Sequence, residues 1–222
     1  MSLLLQLIPL AQAPAHPGWL DAHERERLAG IHDPRRAAEF VAGHCLARQL
    51  AAELAGGHAP EWRFEVDGAG RRGLVHDQAG LRLHASISHA RAGVAVAVAT
   101  VPLGVDVEAA GQPRDWLRLA QAMFAPDEVQ AVATATGPAR EATFLCAWTL
   151  KEAWAKRSGR GLQRHEARAC LAVDCGAAEA EAWTWRLADG GSLALAAAAG
   201  AQVQARGVAG EPRGWRYVAG SP

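Results

Sequence analysis

The chain has 222 residues with 23 basic and 23 acidic side chains, so it carries no formal net charge. That balance argues against wholesale nucleic-acid binding, and no apolar run reaches membrane-spanning length without glycine or polar breaks. The length suits one large domain or two small ones with a substantial core.

Residues 1–9, Met-Ser-Leu-Leu-Leu-Gln-Leu-Ile-Pro, are apolar but lack a basic start and are interrupted by Gln6 and Pro9. They read as an N-terminal strand rather than a signal peptide. Residues 21–30 form a short charged helix with Asp21 as cap and Gly30 as stop. Asp33-Pro34 opens the next helix, Asp as N-cap and Pro at the first helical position. Phe40, Val41, Cys45, Leu46, Leu50 and Leu54 then recur at helical spacing up to Gly56. Arg35, Arg36 and Arg48 decorate this helix, as a solvated face or as an anion-binding one.

Residues 62–66 alternate like a strand, 67–70 make a turn, and 71–75 follow. Leu81, Leu83, Ala85 and Ile87 alternate with Arg82, His84, Ser86 and Ser88, and the strand ends at His89. A lone histidine at a strand end is more often structural than ligand-binding. Residues 93–100, built on Val-Ala repeats, read as a strand buried on both faces.

The stretch Leu103-Gly104-Val105-Asp106-Val107-Glu108 continues the β-branched pattern but adds two carboxylates. In an extended chain Asp106 and Glu108 leave the same face, about 6.5–7 Å apart along the strand. At an effective dielectric near 20 their mutual repulsion is roughly 2–3 kcal/mol. A hard divalent cation with oxygen ligands would offset that cost; a solvated strand end is the bland alternative.

Beyond Glu108 the pattern turns helical over 115–124, again from Ala125-Pro126-Asp127-Glu128, and then from about 139 to 157. The first of these segments carries Trp116, Leu117, Leu119, Met123 and Phe124, too many large apolar residues for one face of so short a helix. Some are expected to stay exposed as a docking patch, the rest to be core. The long helix ends at Ser158-Gly159-Arg160-Gly161, and 169–173, 183–187, 192–198 and 201–206 read as strands. Asp189-Gly190-Gly191 is a hairpin turn between the middle two. Helices precede strands twice over, which suggests an α+β protein of two halves meeting near Leu103. The four cysteines, Cys45, Cys146, Cys170 and Cys175, show no disulfide or zinc spacing, which fits a reduced cytoplasmic protein.

On the long helix Glu152 and Lys156 lie one turn apart on one face, with Trp148 a turn earlier. A third carboxylate brought against Asp106 and Glu108 would complete an oxygen cage of the kind magnesium uses with substrate phosphates. Lys151, Lys156 and His89 could then hold phosphate oxygens.

Gly104-Val105-Asp106-Val107-Glu108, followed some forty residues later by Trp148-Thr149-Leu150-Lys151-Glu152-Ala153-Trp154-Ala155-Lys156, resembles the signature of 4′-phosphopantetheinyl transferases. Within that family it is similar to the larger, single-chain type that serves carrier proteins of peptide and polyketide synthesis. Ser86-Ile87-Ser88-His89 resembles the family's third motif, and Gly159-Arg160-Gly161-Leu162 a glycine turn after its helix. The resemblance spans about residues 32–162. It implies two similar α+β halves, each an antiparallel sheet plus helices, related by pseudo-two-fold symmetry with the active site in the cleft between them. The halves would be 1–102 and 103–222, the second carrying the metal-binding motifs.

The resemblance further implies that Asp106, Glu108 and Glu152 bind magnesium. It makes Glu152 and Lys156 catalytic, with Glu152 as candidate base for a carrier-protein serine. His89, Arg72, Lys151, Lys156 and Arg36 would contact coenzyme A. The implied reaction moves 4′-phosphopantetheine from coenzyme A to an apo acyl or peptidyl carrier protein, releasing adenosine 3′,5′-bisphosphate. The expected form is a monomer, without nucleic-acid or membrane partners. Ala90, Gly73 and His44 depart from the residues the family commonly carries at those places. Two other readings are a non-catalytic coenzyme A or carrier-protein binding module and a metal-dependent phosphohydrolase. No further His or Asp cluster activates a water for the latter.

Overall fold

The computed structural model describes residues 2–68 and 70–219, so Met1, Ala69 of the expected turn, and residues 220–222 lie outside the described part. Strand β1 (Ser2–Ile8) is followed by helices α1 (Ala22–Ala29) and α2 (Pro34–Ala55). Strands β2 (Arg63–Val66), β3 (Arg72–His76), β4 (Leu81–Ala90) and β5 (Gly93–Ala99) complete this part. The next strand, β6 (Gly104–Glu108), leads into α3 (Trp116–Met123), α4 (Pro126–Thr134), α5 (Pro138–Ser158) and α6 (Arg164–Ala169). Strands β7 (Cys170–Asp174), β8 (Ala182–Arg186), β9 (Ser192–Ala196), β10 (Gln202–Arg206) and β11 (Arg213–Ala219) end the chain.

The helix starts follow their capping chemistry. Asp21 accepts the Glu24 N–H while the Glu24 side chain accepts the Asp21 N–H, a reciprocal box. Asp33 accepts the Arg36 N–H at 2.7 Å ahead of Pro34, as its position predicts.

Two sheets result. One runs β10-β1-β5-β4-β3-β2, the other β6-β9-β8-β11-β7. Their wiring repeats. In the first, β1 pairs antiparallel with β5, which pairs with β4. In the second, β6 pairs antiparallel with β9, which pairs with β8. Each leading strand is followed by the long helix of its half. This is the α+β, two-half architecture expected. One strand crosses over: β10 runs parallel to β1, with Ser2 opposite Gln202 and Gln6 opposite Arg206. A segment of the later chain thus completes the earlier sheet, and Arg206 holds Glu53 of α2 with two hydrogen bonds.

The core explains why β5 carries apolar residues on both faces. Its Ala95, Ala97 and Ala99 join Leu3, Leu5 and Leu7 against Val105, Val107, Trp183, Trp185, Leu193 and Leu195 of the second sheet. Its Val94, Val96 and Val98 meet Leu46 and Leu50 of α2. Each buried leucine or valine contributes about 1.5–3 kcal/mol, so the strand is fixed from both sides. On the other half, Leu150 and Ala153 of α5 pack on Ala182, Ala194 and Ala196.

The structure corrects the reading of Arg48. It is neither solvated nor open to an anion: it is 1% exposed and grips Glu24 of α1 through two nitrogens, at 2.6 and 3.0 Å. Its Nε donates to the Trp62 carbonyl. Helix α6 and strand β11 have no counterpart in the sequence reading. The first is six residues long with one buried alanine, and the second is half-exposed throughout, so neither shows a strong apolar period.

Candidate functional site

Strand β6 is the edge of its sheet, and an edge presents unpaired backbone groups. Here side chains satisfy them. The Val105 N–H donates to Ser86 Oγ at 3.0 Å, and the Val107 N–H to Ser88 Oγ at 3.4 Å. Lys156 Nζ donates to the Val105 carbonyl at 3.0 Å. Strand β4 of the first sheet and helix α5 of the second half therefore meet on β6, and the seam between the sheets runs there. Gly104 permits the approach of α5: a Cβ on it would stand 2.0 Å from the Ala153 carbonyl oxygen and 2.6 Å from the Arg157 nitrogen. The glycine ahead of the acidic pair is thus set by packing.

Asp106 is 5% exposed. Its Oδ1 accepts from Ser88 Oγ at 2.8 Å and from Lys156 Nζ at 2.7 Å. Among the described residues its Oδ2 is buried without a hydrogen-bond partner. Glu108 and Glu152 are half-buried nearby. Burial, and then the Asp106 charge, raise the Glu108 carboxyl above the ordinary glutamate range. The same two causes in the same order raise Glu152, with Glu108 adding to them and Lys156 opposing. The strand and helix that carry the three carboxylates thus bring them into one electrostatic field.

Among the described residues, no group of three or more His, Cys, Asp or Glu side chains is gathered tightly enough to hold a metal ion as it stands. The Lys156 ammonium occupies one oxygen of Asp106 and neutralises part of the charge. The donor set nevertheless fits a hard divalent cation: two glutamates whose proton affinity is raised by burial and then by the Asp106 charge, and one buried Asp106 oxygen with free lone pairs.

His89 lies at the end of β4, beside α2. Its Nδ1 is 3.2 Å from Arg36 Nη1 and 3.3 Å from Glu39 Oε2. Burial lowers its pKa, with Arg36 adding and Glu39 opposing. A guanidinium only donates and a carboxylate only accepts, so Nδ1 meets Arg36 as an acceptor in one tautomer and Glu39 as a donor in the other. Arg36 itself is exposed, and Glu39 is also held by Arg35 at 2.9 Å.

The other expected contacts are placed differently. Lys151 is 1% exposed and turned into the second half, where it pairs with Glu128 at 2.8 Å and donates to the Ala167 and Cys170 carbonyls. Lys151 thus ties α5 to α4 and α6, away from the seam. Its spacing foreshadows this, because adjacent helical residues point about 100° apart: Lys151 cannot share the Glu152–Lys156 face. Arg72 begins β3, where its charge meets those of Arg27 and His44 rather than the carboxylates. His44 is buried and stacked on Phe40 at 4.0 Å, and desolvation lowers its pKa to about 4.

Beside Glu108 opens a pocket of about 340 Å³ lined by Trp116, Leu119, Met123, Phe144, Trp148 and Arg114 among others. The apolar residues of α3 therefore divide. Phe124 is core, stacked on Phe144 at 4.8 Å, while Leu119 and Met123 are half-exposed at the pocket. A larger cavity, about 710 Å³, lies on the opposite face of α5 against the second sheet and holds none of the predicted site residues. Sequence reasoning placed Ser86 and Ser88 within a motif but gave neither a role. Their signal was the polar face of β4, which is exposed at Arg82 and buried at both serines.

Two α+β halves thus meet at a seam that carries Asp106, Glu108 and Glu152. Residues 102–196 match the family model of the 4′-phosphopantetheinyl transferase superfamily. The chain is 30% identical over 137 residues to the 4′-phosphopantetheinyl transferase psf-1 of Bacillus pumilus, covering 62% of this chain and 55% of that one. It is 26% identical over 148 residues to the 4′-phosphopantetheinyl transferase HetI of a Nostoc species, covering 66% and 62%. The match thus spans less than two thirds of either relative's length. Over that stretch the chain is similar to the 4′-phosphopantetheinyl transferase superfamily.

Proposed function

We propose that this chain transfers 4′-phosphopantetheine from coenzyme A to a serine of an apo acyl or peptidyl carrier protein, with magnesium, releasing adenosine 3′,5′-bisphosphate. The observation that carries the reading is the seam cluster: Asp106, Glu108 and Glu152 in one field, with Asp106 Oδ2 buried and, among the described residues, unpartnered. In this reading these three residues hold the magnesium ion. Bound there, it would neutralise charge on the pyrophosphate.

The chain's own groups supply the rest. The serine hydroxyl attacks the phosphorus next to the pantetheine, the bond to the nucleotide's phosphate breaks, and the serine proton passes to Glu152. A carboxyl raised by burial and by Asp106 is a better base than an ordinary glutamate. Lys156 stands beside Glu152 as the cation for the departing phosphate, and the Nε2–H of His89, in the tautomer that accepts from Arg36, is the donor for a phosphate at the other wall. Arg36, beside His89, is an exposed cation of that wall.

The halves 1–102 and 103–222 each provide one side of the cleft, so a monomer in the cytoplasm suffices. Among the described residues no helix is long and apolar enough to cross a membrane. Incubation with coenzyme A, magnesium and a panel of apo carrier proteins tests the reading by intact mass. Gain of one phosphopantetheine on a carrier serine is expected. Binding of coenzyme A with no mass change on any carrier would make the chain a binding module.

A further inference from the structure

The polar face of β4 changes character along the strand. Arg82 is exposed, whereas Ser86 and Ser88 are 7% and 8% exposed because β6 lies against them. Both serines accept a backbone N–H from the edge of β6. A serine hydroxyl has one hydrogen to give. Ser88 gives it to Asp106 Oδ1 at 2.8 Å, the same oxygen that Lys156 holds at 2.7 Å. Two donors on one oxygen fix the carboxylate plane and leave Oδ2 free.

We propose that Ser88 is a positioning residue: its hydroxyl, anchored on the Val107 N–H, holds Asp106 so that Oδ2 faces the bound cation. This rests on the reading of the seam as a divalent-cation site. Ser88 acts through Asp106 and touches no reacting atom. Ser86, two residues earlier, makes the equivalent backbone contact and no carboxylate bond, so it is an internal control. Partners that orient metal-ligating groups typically account for about 10–100-fold in metal affinity.

The test is manganese binding to the full chain, read from the free-ion electron paramagnetic resonance signal, with melting temperature measured in parallel. Ser88→Ala is expected to weaken manganese binding by about 10-fold or more, and Ser86→Ala to leave it within about 2-fold. Both variants should lower the melting temperature, since each strands one N–H of β6. Ser88→Cys keeps the shape but donates weakly. It should bind manganese less tightly than the unaltered chain while melting close to it, which keeps the test decisive if Ser88→Ala folds poorly. Equal manganese affinity in the Ser86 and Ser88 variants would overturn the inference. Failure of the unaltered chain to bind manganese would instead overturn the cation site itself, and the inference with it.

Discussion

Two buried charge clusters in this molecule are built on opposite plans. In the first half, Glu24 meets Arg48 through two hydrogen bonds, and further guanidinium N–H groups reach the Trp62 and His44 carbonyls. Acid and base are matched one to one, and α1 is fastened to α2. At the seam, Asp106, Glu108 and Glu152 outnumber the cations that face them, Lys156 on Asp106 and Arg114 toward Glu108, and among the described residues one carboxylate oxygen has no partner. Burying charge is tolerable when it is paired and hydrogen-bonded. A closed pair serves the fold. A surplus of one sign, held in place by neighbouring elements, is what a ligand of the other sign requires.

The largest expected effect breaks the seam. Asp106→Ala should lower the transfer rate by about 10²–10³-fold or more, with the circular dichroism spectrum unchanged, because Asp106 carries the free oxygen and raises both neighbours. Full turnover by this variant in magnesium buffer would remove the seam from the chemistry.

Breaking the other cluster should act on stability alone. Glu24→Gln leaves Arg48 buried without its counter-charge and should cost about 3–5 kcal/mol in denaturant unfolding. The Michaelis constants for coenzyme A and the carrier should stay put. The double variant Glu24→Leu, Arg48→Met should recover much of the loss, since a buried pair replaced by apolar residues is often neutral.

The two lysines of α5 sharpen the same contrast. Lys151→Met should destabilise, through the stranded Glu128, and leave catalysis per folded molecule intact. Lys156→Met should lower transfer and melt within a few degrees of the unaltered chain.

Proton linkage should show opposite slopes in the two regions. Glu152 has a folded pKa above its unfolded one, from burial first and Asp106 second. Its stabilising contribution is complete below the ordinary glutamate value and is lost as pH rises through the folded value. Glu152→Gln should therefore flatten the stability curve on that rise. His44, beside the Glu24–Arg48 pair, has a folded pKa of about 4 against 6.5. Its contribution is present above 6.5 and is lost as pH falls through about 4. His44→Phe should flatten the acid limb. Equilibrium unfolding at a series of pH values measures both.

The smallest effect concerns the pocket beside Glu108. Met123→Lys should raise the Michaelis constant for the carrier about 3–10-fold and leave that for coenzyme A unchanged, while Phe124→Lys should give insoluble protein. Equal damage to both constants by Met123→Lys would assign that residue to the core.

How much of this was legible in the sequence depended on whether one residue's neighbours lie close along the chain. The Val-Ala run of β5 and the Asp21 and Asp33 caps are local signals, and they were readable. So was the acid pair on β6, because alternation alone puts Asp106 and Glu108 on one face. Arg48 was not, since its partner Glu24 lies 24 residues away on another helix and no spacing links them. Lys151 was misplaced because the motif sets it beside Glu152, although helical geometry turns it aside. Ser86 and Ser88 carried half a signal: alternation set them on the polar face, but the strand that buries that face comes 18 residues later. Strand β11 enters between β8 and β7, an insertion that element order cannot convey.

The most direct test of the account is metal dependence of transfer. The unaltered chain, freed of divalent ions by chelation, is mixed with coenzyme A and a panel of apo carrier proteins, and the carriers' intact masses are followed before and after magnesium is restored. The account predicts no phosphopantetheine on any carrier until magnesium returns, and full modification of at least one afterwards. Undiminished transfer in the chelated sample would contradict it, because the surplus carboxylates of the seam would then have no cation to hold.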